Sequence, residues 1–236
     1  MNSRSLSVFR WTALCVAALL AAQCIWLLLA QMSRSNVTNL PTDAHAATAA
    51  AKQRGGVTWA AASGIIRGNS WVQAGFTYSD LLWGRNGAGA NGATGTTRQD
   101  RAQAQAILDQ AIREAPCDSG AWLLVAGLAS RYPLDHRDAT AALKMSYYTG
   151  PSEPGLIPSR FRFAIQSGRS NDPEMQQFIG RDLRFLLSDN QTKVVVAAYK
   201  IAAPSEREFI EQTVSQLSPD TLASLRAANP SPGPPD

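Results

Sequence analysis

Arginine and phenylalanine interleave between positions 160 and 185: Arg160, Arg162, Arg169, Arg181 and Arg184 alternate with Phe161, Phe163, Phe178 and Phe185. Guanidinium planes pair with carboxylates and stack on aromatic rings, so such a surface would hold an acidic peptide or an anionic glycan. Arg181 and Arg184 are three apart and share a helical face, whereas Arg160 and Arg162 do not. The competing reading buries the phenylalanines and leaves the arginines in water. On the first reading the partner-binding set is Arg160, Arg162, Arg181 and Arg184. Glu153, Asp172, Glu174 and Asp182 lie in the same region and are the candidates for a carboxylate pair of the glycosidase kind. Helix starts and solvated faces account for those four equally well, so no catalytic residue is expected.

Other chemistry has little support. His45 and His136 have no neighbouring nucleophile or acid in a recognisable arrangement. Cys15 and Cys24 fall inside an apolar run, which leaves Cys117 alone in the rest of the chain. One cysteine and two scattered histidines build neither an internal disulfide nor a metal site, and no cofactor is expected. Gly87-x-Gly89-x-x-Gly92 has the spacing of a dinucleotide-binding turn, but a helical pattern precedes it where that turn needs a strand. The net charge of +4 falls to +2 once Arg4 and Arg10 are set aside. Without a concentrated basic face, nucleic acid is not an expected partner.

The elements that would position these residues begin with a membrane anchor. Trp11 to Ala30 is apolar except for Thr12 and Gln23, and its 20 residues match the hydrocarbon thickness of a bilayer. Arg4 and Arg10 precede the run, so residues 1–10 are expected in the cytoplasm and the rest outside. The run is too long for a signal-peptide core, and Gln23 spoils the lipoprotein-like Leu20-Ala21-Ala22-Gln23-Cys24, which favours an uncleaved anchor. Residues 31–56 read as a flexible tether, with a short helix around Ala46 to Lys52. A helical domain spans 57–228, interrupted by a glycine-rich loop at 84–97, and the proline-rich tail 229–236 reads as disordered. Within the domain, helices are expected at Arg98–Ala115, Asp118–Arg131, Asp135–Tyr148, Leu156–Gln166, Pro173–Leu187, Thr192–Ala202, Ser205–Leu217 and Pro219–Ala228. Asp118 and Ser119 are candidate caps for the second of these, and Asn171-Asp172-Pro173-Glu174 supplies a cap, a first-position proline and a first-turn acid for the fifth.

A spacing repeat organises the middle of this pattern. Ala104, Leu108, Ala111 and Pro116 recur as Ala139, Leu143, Ser146 and Pro151, 35 positions on. Trp71, Ala74, Gly75 and Tyr78 share a register with Trp122, Val125, Ala126 and Ala129. A large anchor followed by small contacts, closed by a proline, resembles the tetratricopeptide repeat, a helix-turn-helix unit of about 34 residues. That resemblance implies an all-α, tetratricopeptide-like repeat array following a single transmembrane helix. It also implies that first helices line a concave binding face, here Asp118–Arg131 and Leu156–Gln166. Ala142 to Pro151, followed by Leu156-Ile157-Pro158, resembles small anchored proteins of Gram-negative bacteria linked to surface-polysaccharide production.

Together these features lead to a single-pass inner-membrane protein with a periplasmic C-terminal domain. Its expected role is a non-catalytic scaffold or regulator that binds a protein partner in the cell envelope. The alternatives are a carbohydrate-active enzyme on a helical scaffold and an anionic-glycan-binding module.

Overall fold

The computed structural model of the chain describes residues 3–32, 40–41, 43–63, 68–83, 98–132 and 138–228. All regular structure among them is α-helical, as expected. The glycine-rich loop, the proline-rich tail and His136 lie outside the described residues. Helix α1 (Ser3–Met32) is continuous, and every described side chain from Trp11 to Leu29 is exposed. Among the described residues no helix is long and apolar enough to cross a membrane. Within the expected span 11–30 the Trp26 ring lies 5.7 Å from that of Trp59.

The stretch expected to be a tether is largely folded. Asp43 accepts a hydrogen bond from the Ala46 amide at 2.7 Å and caps α2 (Ala44–Ala51), whose Ala47 and Ala50 are buried. Leu40 and Pro41 are buried too, with Leu40 only 5% exposed and part of the main core. The short helix expected around Ala46 to Lys52 corresponds to α2, and within the expected tether 31–56 the described residues Leu40, Pro41, Ala47 and Ala50 are buried. Its alanine-rich composition hid small side chains that pack closely against larger neighbours. Arg54, at the start of α3 (Arg54–Ser63), pins this region. It donates to the Thr77 carbonyl, pairs with Asp80 and lies over the Tyr78 ring.

Helices α4 (Gly68–Phe76), α5 (Asp80–Trp83) and α6 (Arg98–Glu114) lead into α7 (Ser119–Arg131) and α8 (Ala139–Thr149). The small-large-small pattern has a direct physical role. Ala104, Leu108 and Ala111 of α6 are all buried, as are Ala139, Leu143 and Ser146 of α8. These faces pack α6 on α4 and α8 on α7. The two tryptophans are less central than their repeat positions imply. Trp71 and Trp122 are half-buried at the core margin, and the Trp122 indole donates to the Pro116 carbonyl at 2.7 Å. Ala74, Val125 and Ala126 beside them are the enclosed residues.

The C-terminal half comprises α9 (Ile157–Gln166), α10 (Pro173–Ser188), α11 (Thr192–Ile201), α12 (Pro204–Leu217) and α13 (Pro219–Ala228). Asp172 accepts from the Glu174 and Met175 amides, with Pro173 opening α10. At the other end Asn190 adopts φ 55°, and the Gln191 amide returns to the Leu186 carbonyl at 2.8 Å to close the helix. Val194 to Val196 are helical despite their β-branching. Their alternative would leave Val195 and Ala198 unburied, and both are fully enclosed.

One close contact fixes how α7 meets α4. A Cβ at Gly120 would approach Phe76 Cζ at 2.7 Å, nearer than side chains pack. Gly120→Ala should therefore destabilise the domain by about 1–3 kcal/mol, the usual range for overpacking. Urea unfolding checks this, and combining the change with Phe76→Leu should recover part of the loss.

Candidate functional site

The four arginines of the sequence expectation fall in four different environments. Arg160, from the middle of α9, is 0% exposed. Its Nε and Nη2 donate to the two Asp182 oxygens at 3.3 and 3.4 Å, and Nη1 donates to the Ser146 and Gly150 carbonyls at 3.2 and 2.8 Å. Those carbonyls close the C-terminus of α8, where unpaired acceptors and the helix dipole favour a cation. One guanidinium thus ties α8, α9 and α10 together, and its plane lies 4.3 Å from the Tyr147 ring centre. Arg160 is structural, and the expectation that it contacts a partner is withdrawn.

The stack extends outward from that centre. Tyr147 lies against Phe178 with centroids 4.7 Å apart and planes 13° from parallel, and Arg181 sits over the far part of Phe178 at 5.6 Å. Arg181 is half-buried, while Arg184 is exposed and bonds back to the Gly180 carbonyl at 3.3 Å. The alternation of arginine and phenylalanine is thus mostly the signature of a cation-aromatic core. Burial raises the Asp182 pKa, opposed by Arg160, and burial pushes the Tyr147 hydroxyl well above its ordinary value. Ser146 completes the knot by donating to the Ser119 carbonyl at 2.8 Å. Gly150 lies close against Ser119, where a Cβ would meet the Ser119 side chain.

The candidate carboxylates also separate. Lys144 Nζ lies 2.7 Å from Asp172 and 2.6 Å from Glu174, and Tyr148 donates to Glu174. Hydrogen bonding to Lys144 holds both carboxyls below their ordinary values, opposite to what a general acid needs. Glu153 accepts from Ser119 and faces Asp118 across a cleft of about 90 Å³. Asp118 is raised by burial and then by Glu153, yet its oxygen caps α7 through the Ala121 amide at 2.8 Å. Asp182 is sealed against Arg160. Among the described residues no group of three or more His, Cys, Asp or Glu is arranged to hold a metal ion.

The remaining arginine opens onto a groove. Arg162 lies on the opposite side of α9 from Arg160 and lines a groove of about 240 Å³ between α7 and α9. Leu82, Leu123 and Phe163 give it an apolar lining, and Ser130, Ser159, Gln166 and Ser167 are its uncharged polar residues. Arg131, at the end of α7, lines it too and donates to the Leu82 carbonyl at 2.7 Å. Burial lowers the Arg162 pKa. Leu40 and Pro41 form part of the wall. The repeat spacing had singled out α7 and α9 as lining helices, whereas Arg131, Ser159 and the Leu40–Pro41 contribution carry no sequence signal of their own. No protein-family model, curated protein or solved structure matches the chain.

Two outcomes follow from these environments. Arg160→Ala leaves Asp182 enclosed without its cation and the α8 carbonyls without their donor, which should cost about 3–5 kcal/mol by chemical denaturation. Replacing the pair together, Arg160→Met with Asp182→Leu, should recover much of that loss. The Lys144 cluster sets an acid dependence. A carboxyl held below its ordinary value, 3.8 for Asp172 and 4.5 for Glu174, contributes stability above that value. The contribution disappears as pH falls through the lowered pKa. Thermal unfolding from pH 6 to 2 should therefore show a steeper acid loss in the native chain than in Lys144→Ala. Salt should shrink the difference, since the groups are partly exposed.

Proposed function

We propose that the chain is a membrane-anchored, non-catalytic scaffold or regulator that binds a protein partner in the groove between α7 and α9. The observation that carries this reading is the groove's chemistry. It has an apolar lining, serine hydroxyls and an amide to meet a backbone, and two arginines among its lining residues. That combination suits an extended peptide segment bearing an acidic side chain better than a carbohydrate polymer, which would need a more polar lining.

The helical order supports a tetratricopeptide-like arrangement. In it α4 and α6, α7 and α8, and α9 and α10 are successive hairpins, and α7 and α9 are first helices on the binding face. The packing of α4 on α6 and α7, and of α8 on α7, fits that scheme. The apolar run 11–30 of the sequence, with Arg4 and Arg10 before it, supports a single-pass anchor and a periplasmic domain. The resemblance around Ala142 to Pro158 makes envelope polysaccharide synthesis or export the favoured process.

A photoreactive residue at Gln166, exposed at the groove, tests the reading in intact native membranes. It should capture a membrane protein in near-stoichiometric yield, and Arg162→Glu should abolish capture while the circular dichroism spectrum is unchanged. Recovery of the chain alone, or only with itself, would sink the proposal.

A further inference from the structure

Trp59 stands on the outer side of α3, and its ring meets that of Trp26 from α1. The centroids are 5.7 Å apart and the planes cross at 55°, the spacing of an attractive aromatic pair. Trp26 nevertheless stays 45% exposed and Trp59 42%, so two large rings in contact are each left nearly half open. Around Trp59 the outer face of α3 is made of Gly55, Gly56 and Ala62, all exposed, while Val57, Ala60 and Ala61 face inward and are buried. No charged residue occurs from Gly55 to Ala62. A helix face turned to water ordinarily carries charged or amide side chains, and an apolar one marks contact with a less polar neighbour. The position of Trp26 names that neighbour. It stands four residues before the end of the apolar run 11–30, about 6 Å of helix rise. Tryptophan concentrates at the boundary between hydrocarbon and headgroups, where its apolar body and its N–H are both satisfied. With the run in a bilayer, Trp26 falls close to that boundary, and a ring in contact with it shares its depth.

From this contact we infer that α3 is a second membrane contact, whose outer face lies in the headgroup layer of the bilayer that α1 spans. The occupant of the face is lipid, with Trp59 inserted beside Trp26. The inference rests on the anchor reading given above and adds that the domain is held against the bilayer surface. Gly55, Gly56 and Ala62 let the helix approach that surface closely, which leaves Trp59 as the side chain that reaches in. Two points of attachment, α1 and α3, would also restrict rotation of the domain about its anchor. A partner would then have to present its binding segment close to the membrane.

The full-length chain in nanodiscs of phosphatidylethanolamine and phosphatidylglycerol tests this. Cys15, Cys24 and Cys117, all free and exposed, are changed to Ser, and Ala62→Cys carries a nitrobenzoxadiazole label one turn beyond Trp59. Lipid bearing a nitroxide on its headgroup should quench at least half of the label's emission. Trp59→Ser, which removes an exposed ring and should leave the circular dichroism spectrum unchanged, should at least halve that quenching. The labelled chain with Trp59 intact decides the matter if the serine variant fails to fold. Emission unchanged by the nitroxide lipid, in a chain that resists alkaline carbonate extraction from native membranes, overturns the inference and leaves the anchor reading standing. Equal quenching with and without Trp59 also overturns it, because α3 would then lie near lipid only through α1. So would oxidation of the unlabelled Ala62→Cys chain to a disulfide dimer in high yield, since the face would then belong to a second copy. Release of the chain by carbonate sinks the anchor reading itself, and the inference with it.

Discussion

One buried cation organises the centre of this molecule. Arg160 could not be enclosed without compensation, because an isolated guanidinium in a protein interior loses several kcal/mol of hydration. Compensation comes from three helices at once: the last carbonyls of α8, the Asp182 carboxylate of α10 and the face of Tyr147. Each contribution requires the others to be in place. α8 must end at Gly150 so that its carbonyls point at α9, and α10 must present Asp182 at the same level. The registers of α8, α9 and α10 are thereby coupled more tightly than apolar packing alone would demand.

That coupling has a consequence on the other side of α9. With Arg160 held inward, the helix is fixed in rotation, and residues two and three positions on are carried round to face α7. Arg162 and Phe163 reach the groove for this reason. The apolar lining completes itself from chain-distant pieces: Leu82 of α5, Leu123 of α7 and the Leu40–Pro41 pair. The knot is rigid, well satisfied and closed to partners. The groove is partly open and lined in part by Leu40 and Pro41, so the knot and the groove occupy opposite faces of one helix.

Arginine over tyrosine recurs beyond this centre. Arg54 lies 4.3 Å from the Tyr78 ring centre, Arg101 4.1 Å from that of Tyr132 and Arg207 5.9 Å from that of Tyr199. Each cation covers an aromatic face at a helix end, where apolar packing runs out and a long, partly hydrated side chain can still contribute. A domain rich in alanine and glycine has few large side chains for its margins, and these stacks supply them.

Local sequence determined the helices. Asp118, Asp172 and the prolines at 173 and 219 marked starts, and 3.6-residue periodicity marked the lengths, because caps and amphipathic faces act within a single turn or two. The pairing of α6 with α4 and α8 with α7 was also legible, since Ala104, Leu108 and Ala111 recur at α8 as a face that only a close neighbour can fill. Tertiary structure decided what the arginines do. The alternation of Arg and Phe from 160 to 185 reads the same whether the cations face water or a core. Only the arrival of Asp182, Ser146 and Tyr147 from other helices makes Arg160 an interior residue and leaves Arg162 to the groove. The same holds for Leu40: its neighbours in sequence are those of a linker, and its burial depends on α7 and α9, more than eighty residues away.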